Sequence, residues 1–268
     1  MFERFRERSD ELEHLDLGDY TPEEYEGCMV ELRRVNRWLG DARSLSRSVL
    51  PEIKRDLSPE TGRDVSPKFE RDVSPEAEAV GASQISERTS CREFSLLDVG
   101  AGTGELLREV ARWARERKIR ARLVGLELNE RSALGILEES RGFGEIAAVR
   151  GNALRLPFDD AAFDYAMCSL FTHHFRDDGA VSVLREMSRV ARRRVYVIDL
   201  HRHPVAYYFY TTVARLFLHN RLIREDGALS ILRGFVPREL LRLAERAGLA
   251  RARVERRFPY RLVLSASK

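Results

Sequence analysis

The sequence predicts an α/β fold: a doubly wound, mostly parallel sheet with an antiparallel edge strand, preceded by a helical N-terminal cap. Three observations predict it. From Ser95 onward, short apolar runs alternate with stretches of helical periodicity, the pattern of a parallel sheet covered on both faces. A glycine-rich turn joins the first run to the first helix, at the place where open α/β sheets bind ligands. Ahead of that body lie one capped amphipathic segment and a proline-containing repeat.

Residues 1–50 are expected to form the cap. Thr21-Pro22-Glu23-Glu24 is a helix start, with Thr as N-cap, Pro in the first turn and Glu placed for a capping box. Tyr25, Met29, Leu32, Val35 and Leu39 then recur at helical spacing with Trp38 beside them, and Gly40 is a stop. Such a helix needs an apolar surface to lie on. Next comes a repeat of period eight, RSVLPE, RDLSPE, RDVSPK and RDVSPE, beginning at Arg47, Arg55, Arg63 and Arg71. Its prolines at 51, 59, 67 and 75 interrupt helix, and one Val or Leu per copy is too little for a core. Residues 51–92 are therefore expected to be a mobile, expanded linker. Ser58, Ser66 and Ser74 precede prolines, which leaves a docking or phosphorylation segment as the alternative.

The body is expected over 93–268. Strands are read at 95–99, 121–127, 146–151, 163–169 and 195–199. Leu106, Leu107, Val110, Ala111 and Ala114 line one helix face, and Ala180, Val183, Leu184, Met187 and Val190 another. Residues 201–235 read as an insertion rich in aromatics: Tyr207, Tyr208, Phe209, Tyr210, Phe217 and Phe235. It is either an apolar lid beside the site or ordinary core packing. Pro237–Ala247 reads as a helix closed by Gly248; ARVERRF and YRLVLSA read as two strands joined around Pro259.

Composition excludes several classes. With 43% hydrophobic and 33% charged residues over 268 positions, the chain can bury a core without staples. A net charge of +3 gives no global basic field for coating nucleic acid. Cys28, Cys91 and Cys168 are odd in number and far apart, so no disulfide framework is expected and a cytoplasmic location is. MFERFRERSDELEH has no apolar signal core, and no apolar run is long enough to span a bilayer.

The most informative stretch is Leu96-Leu97-Asp98-Val99-Gly100-Ala101-Gly102-Thr103-Gly104-Glu105-Leu106. Dinucleotide sites use G-x-G-x-x-G and seat a pyrophosphate on the helix N-terminus. Here the glycines fall at 100, 102 and 104, and Glu105 stands where the third dinucleotide glycine belongs. A carboxylate there opposes a pyrophosphate, and Asp98 suits a cationic partner better than a phosphate. No Gly-Lys-Ser/Thr follows, which excludes a Walker loop.

LLDVGAGTGELL resembles motif I of the class I S-adenosylmethionine-dependent methyltransferases, and the resemblance covers about residues 94–268. It implies a Rossmann-like fold and S-adenosyl-L-methionine as cofactor. It implies that Gly100, Ala101, Gly102 and Gly104 cradle the amino-acid end, with Asp98 as its partner. Glu127, ending VGLELN, is implied to hold both ribose hydroxyls, a task for which a carboxylate is apt, with Leu128 beside it. Gly151–Phe158 resembles the family's G-D-A-x-x-L-P-F. That implies adenine contact at Asn152, Ala153 and Leu154. Asn152 replaces the family's Asp; its carbonyl still accepts from the adenine amine, with weaker binding expected. Phe163-Asp164-Tyr165 resembles the opening of the fourth strand, which places Ser169 at its cofactor-facing end.

Methyl transfer from a sulfonium needs positioning and water exclusion more than leaving-group activation. A phenol or enol acceptor also needs a base. Ser169-Leu170-Phe171-Thr172-His173-His174-Phe175 follows the fourth strand, and in this fold its loop faces the methyl group. His173 or His174 is the expected base; the alternative is that they orient the loop. Five of the six His lie between 173 and 219, yet no H-x-x-x-H or H-E-x-x-H accompanies them, so no metal site is expected. Asp199 either borders the pocket or caps the segment before His201.

The tetrad N/D-P-P-Y/F of nucleic-acid amino-methyltransferases is replaced by SLFT, and the paired acidic loop of protein arginine methyltransferases is not visible. The expected acceptor is a hydrophobic phenolic, quinone-like or polyketide-like small molecule, methylated on O or C; nucleic acid is not expected. The body most resembles the ubiquinone/menaquinone C-methyltransferase branch. ELRRVNRWLG and FVPRELLRLAERAGL resemble the bacterial methyltransferases that accompany type III polyketide synthases, which implies a biosynthetic enzyme as partner. Arg215, Arg221, Arg224 and Arg233 could hold a carboxylate or touch anionic lipid, or form a solvated face, and peripheral membrane contact stays open. The rival readings are an RNA or protein methyltransferase, and a cofactor-binding partner without turnover.

Overall fold

The computed structural model describes residues 3–58 and 92–268. The third and fourth copies of the octapeptide, Ser66, Ser74 and Cys91 lie outside the described residues, as do the side chains of Met29, Leu32, Val35, Trp38 and Leu39.

The cap contains α1 (His14–Leu17), α2 (Pro22–Leu39), α3 (Asp41–Ser44) and α4 (Leu50–Asp56), with a wide turn over Leu45–Val49 between the last two. The start of α2 is the capping box: Glu24 N donates to Thr21 Oγ1 at 3.2 Å, and Thr21 N to Glu24 Oε2 at 3.0 Å.

The body alternates β1 (Glu93–Val99), α5 (Glu105–Glu116), β2 (Arg120–Glu127), α6 (Glu130–Glu139), β3 (Ile146–Arg150), β4 (Phe163–Ser169), α7 (Asp177–Val190) and β5 (Ala191–Leu200). Then follow α8 (Pro204–Phe217), α9 (Arg221–Arg233), α10 (Pro237–Arg246), β6 (Ala250–Arg257) and β7 (Arg261–Ser267). The sheet order is β3-β2-β1-β4-β5-β7-β6. The first five strands pair in parallel, and β7 runs antiparallel to both β5 and β6. The chain reverses its direction of travel across the sheet between β1 and β4, so the crevice lies above their carboxyl ends.

Alternation along β1 feeds two cores. Leu97 and Val99 join Ala180, Leu184 and Met187 of α7 and Leu240 and Leu243 of α10 on one face. Leu96 joins Leu107 and Val110 of α5 and Ile136 of α6 on the other.

That second core also contains Leu45, Val49, Leu50 and Ile53, all buried. The linker boundary expected at 51 is therefore displaced: the chain stays helical to Asp56. Pro51 was read as a breaker, but it sits in the first turn of α4, where no donor is required. Ion pairs fix this run to the sheet. Arg261 meets Asp41 at 2.6 Å with both buried, and Arg194 holds both oxygens of Asp56 at 2.8 and 3.1 Å.

β5 begins at Ala191, earlier than its apolar run. Arg192–Arg194 hid its start, and all three are paired: the first two with Asp164 and the third with Asp56.

The insertion is two helices, α8 and α9, and its aromatics divide. Phe235 is core. Tyr207 and Tyr208 pack edge-on against Phe5, and the Tyr210 hydroxyl donates to Ile223 O. Phe209 and Phe217 are exposed. Three of the six, Tyr207, Tyr208 and Tyr210, thus fasten α8 to its neighbours.

Candidate functional site

The glycine turn sits at the carboxyl end of β1. Gly100, Gly102 and Gly104 all take positive φ, at 72°, 57° and 76°. Two of them have a visible reason. A Cβ on Gly100 would run into the ring of Phe171, whereas one on Gly102 would meet open space. So Gly100 lets the loop after β4 close over the turn, and Gly102 leaves backbone accessible to a ligand.

Asp98 lies just before the turn and is buried, and its Oδ1 has no hydrogen-bond partner among the described residues. Burial, then the nearby charge of Glu127, pushes its carboxyl well above the usual range. Glu127 ends β2, and its Oε1 accepts from Gly102 N at 2.5 Å. Burial raises its carboxyl too, against the Gly102 and Leu128 amides. A buried carboxyl without a donor is costly, and it fits a site made for a cation or a strong donor. Gly102 offers the approach, and Glu127 can exchange an amide for hydroxyls. The residues present therefore fit the adenosyl amino-acid cofactor that the sequence resemblance implies, with Asp98 and the glycine turn at its ammonium end.

This has a consequence for pH. A cationic partner favours the charged form of Asp98, so its carboxyl falls on binding and a proton is released. Affinity for S-adenosylhomocysteine is expected to weaken as pH falls below the raised carboxyl range of the free protein, and to level off above it. Calorimetric titration in two buffers of different ionisation enthalpy should show that release; equal heats in both would remove Asp98 from the ammonium's surroundings.

The other expected cofactor residues follow the carboxyl ends of the parallel strands. Leu128 and Leu154 are exposed apolar side chains, Ala101 packs on the second core, and Ser169 is half-buried at the end of β4. Ala153 belongs to the first core. The Asn152 carbonyl oxygen accepts from Leu154 N at 2.9 Å. It forms an Asx-type turn, so the oxygen expected to receive the adenine amine is already engaged.

The two histidines lie in a short helical turn, Thr172–His174, after β4. His173 is 3% exposed, and its Nδ1 donates to Asp199 Oδ1 at 2.6 Å. That bond leaves the Nε2 lone pair free. Asp199 ends β5 at full burial and also accepts from Thr172 Oγ1 at 2.6 Å, His173 N at 3.1 Å and Leu200 N at 2.7 Å. Burial alone would raise its carboxyl, but His173, Thr172 and the Leu200 amide hold it down at about 2. His174 is half-buried, stacked on His173 with centroids 4.4 Å apart, and near enough to Glu127 for its charge to be felt there. Burial opposes its charging, yet Asp16 and Glu13 outweigh that and raise its imidazole above the usual range.

The roles of four contributors were not legible in the sequence. Glu13 and Asp16 come from the cap: Asp16 Oδ1 lies 3.2 Å from His174 Nδ1, and Glu13 is 3.9 Å from both imidazoles. Arg8 and Arg233 fix the loop by its carbonyls. Arg8 Nη2 donates to His173 O at 3.1 Å and Phe175 O at 2.8 Å; Arg233 donates to His173 O at 3.2 Å and His174 O at 2.6 Å. Arg233, for which a carboxylate contact, a lipid contact or a solvated face is expected from the sequence, is buried and meets Asp16 at 2.7 Å. A concavity of about 580 Å³ borders both histidines between residues 7–12 and α10, but no residue of the glycine turn lines it. It is not the cofactor's seat.

Comparison with known proteins gives a domain match and a shared fold. Residues 96–194 match a family model described as a methyltransferase domain. A demethylmenaquinone methyltransferase of Roseiflexus castenholzii is 39% identical over 101 residues, which cover 36% of this chain and 37% of that protein. One from Bacillus subtilis is 33% identical over 107 residues, covering 39% and 43%. The chain thus spans less than half the length of these curated relatives. Among solved structures, a SAM-dependent methyltransferase from Aquifex aeolicus aligns with TM-score 0.50 at 17% identity, over 66% of this chain and 84% of that one. Human N-acetylserotonin methyltransferase aligns with TM-score 0.50 at 14% identity, over 65% and 47%. These two likenesses concern the fold.

Proposed function

We propose, from the premise that this chain carries a class I S-adenosylmethionine-dependent methyltransferase domain over residues 96–194, that it methylates O or C of a hydrophobic phenolic, quinone-like or polyketide-like small molecule. The observation that carries the reading is the His173–His174 pair, tied to Asp199, in the loop whose Phe171 closes on the glycine turn. The relatives named for demethylmenaquinone support a quinone-like acceptor.

The cofactor supplies an activated methyl on a sulfonium. The protein's share is to hold donor and acceptor in line and to keep water out. Asp98 and the glycine turn hold the ammonium end, and Glu127 the ribose. Phe171 covers the turn. The acceptor's proton leaves toward the histidine pair, where Asp199 fixes one ring and Asp16 the other. A cytosolic location belongs to the same reading; Cys28 and Cys168 are buried free thiols, and no described helix is long and apolar enough to cross a membrane.

Incubation with methyl-labelled cofactor and pools of demethylated naphthoquinols, alkylphenols and pyrones tests this. Label in the organic-extractable fraction is expected. Label in added RNA or protein instead would favour the nucleic-acid or protein reading. Tight cofactor binding with no label in any pool would favour a partner without turnover.

A further inference from the structure

Glu13, His173 and His174 present three potential ligand atoms within 4.8 Å of one another, and we infer that they form a binding centre for a divalent transition-metal ion of the zinc type. The inference does not rest on methyl transfer. A search for local spacing misses this centre because the carboxylate comes from the cap and the imidazoles from the loop after β4.

Two of the ligands, His173 and Glu13, are held for the role, and His174 would exchange its Nδ1 contact with Asp16, at 3.2 Å, for the ion. His173 gives its Nδ1 hydrogen to Asp199 at 2.6 Å, which turns the Nε2 lone pair toward Glu13 Oε1 at 3.9 Å. A carboxylate behind an imidazole is the usual second layer of a metal site, since it fixes the ring and raises its basicity. Glu13 is 3% exposed, and Ser230 Oγ donates to its Oε1 at 2.7 Å. Its Oε2 has no hydrogen bond among the described residues; His174 Nδ1 stands 3.9 Å away. These gaps are too long for hydrogen bonds. Around a tetrahedral zinc, N and O ligands stand roughly 3.4 Å apart, so each Glu13–imidazole gap would close by about half an ångström, and any wider spacing among the three atoms, which lie within 4.8 Å of one another, would close by more.

The charges also suit one divalent ion. Glu13, Asp16 and Asp199 are three buried or half-buried carboxylates. Arg233 is the cation facing them, 2.7 Å from Asp16 and 3.9 Å from Glu13; Arg8 is already paired with Asp177 at 2.9 Å. Two negative charges remain, which one divalent ion offsets if both imidazoles bind in neutral form. The open side is that of His174, the more exposed ligand; an ion held there would take up the His173 Nε2 lone pair, so metal binding and service as the base exclude one another at that ring.

Cobalt(II) titration of the chelator-treated full chain reads the site directly, with neither cofactor nor acceptor present. A visible ligand-field band saturating at one cobalt per chain, and bleached by zinc, is expected. Glu13→Gln can still accept from Ser230 and is expected to bind cobalt at least about tenfold more weakly. His174→Ala, at a half-exposed position, should do the same. Asp10→Asn, an exposed partner of Arg176, should change nothing. No saturating band in the wild-type protein, or equal bands in Glu13→Gln and His174→Ala, would overturn the site.

Discussion

Replacing Asp199 by Asn is expected to lower the turnover of methyl transfer by about 10²–10⁴-fold, the range for losing a correctly presented acid–base group. Cofactor affinity should stay within about threefold, since Asp199 touches none of the residues assigned to the cofactor. Asp199 accepts from four donors: His173 Nδ1, His173 N, Thr172 Oγ1 and Leu200 N. A carboxylate satisfies all four. An amide has one accepting oxygen, and its NH₂ would face at least one of the backbone amides. His173 would then turn or change tautomer, and its Nε2 lone pair would no longer be presented. Thr172→Val removes one of the four without touching the ring and should cost far less. If Asp199→Asn turns over like the wild type once melting curves show it folded, His173 has no part in the reaction.

Replacing Arg202 by Met is expected to cost about 3–5 kcal/mol, as for one partner removed from a buried ion pair. The side chain is wholly buried between β5 and α8. It donates to Phe5 O at 3.0 Å, Arg6 O at 3.2 Å and Gly234 O at 2.6 Å, and to Glu239 at 2.6 and 2.9 Å. Met fills the volume but leaves the Glu239 carboxylate with the Val236 amide as its remaining donor. Each kcal/mol lowers Tm by roughly 2–4 °C in a domain of this size. The same change removes two bonds that hold residues 5 and 6 to the body, and so loosens the segment that brings Glu13 and Asp16 to the histidines. Urea unfolding and turnover should therefore fall together, whereas Asp199→Asn should mainly lower turnover. A variant with normal stability would mean that the N-terminal segment docks without Arg202.

The contrast between these two residues shows how far the sequence could be read. The β1 strand, its glycine turn and Glu127 lie within short stretches whose periodicity and glycine spacing are local, and each was placed correctly in the sheet. β4 needed only its apolar run, since both its faces are buried. The stretch from Pro51 to Asp56 falls in the expected linker because proline in register looks like a breaker, and only the sheet beneath shows that Leu50 and Ile53 cover it. Arg202 and Arg8 do not stand out among 46 basic residues. An arginine that donates to distant carbonyls leaves no mark in its own neighbourhood. Glu13 and Asp16 carry no signal in the sequence, because their roles depend on a docking that no short-range pattern encodes. Asn152 reads in the sequence as a substitute for an acid, and its bond from Leu154 N is that of a turn former.

Titration of the purified chain with S-adenosylhomocysteine, alongside NADH and the Asp98→Ala protein, tests the central claim most directly. Saturable micromolar binding of S-adenosylhomocysteine, none of NADH, and at least about tenfold weaker binding by Asp98→Ala are predicted, the last being the loss of one charge-assisted contact. NADH binding in its place, or undiminished binding by folded Asp98→Ala, would contradict the assignment of the glycine turn and the carboxyl beneath it.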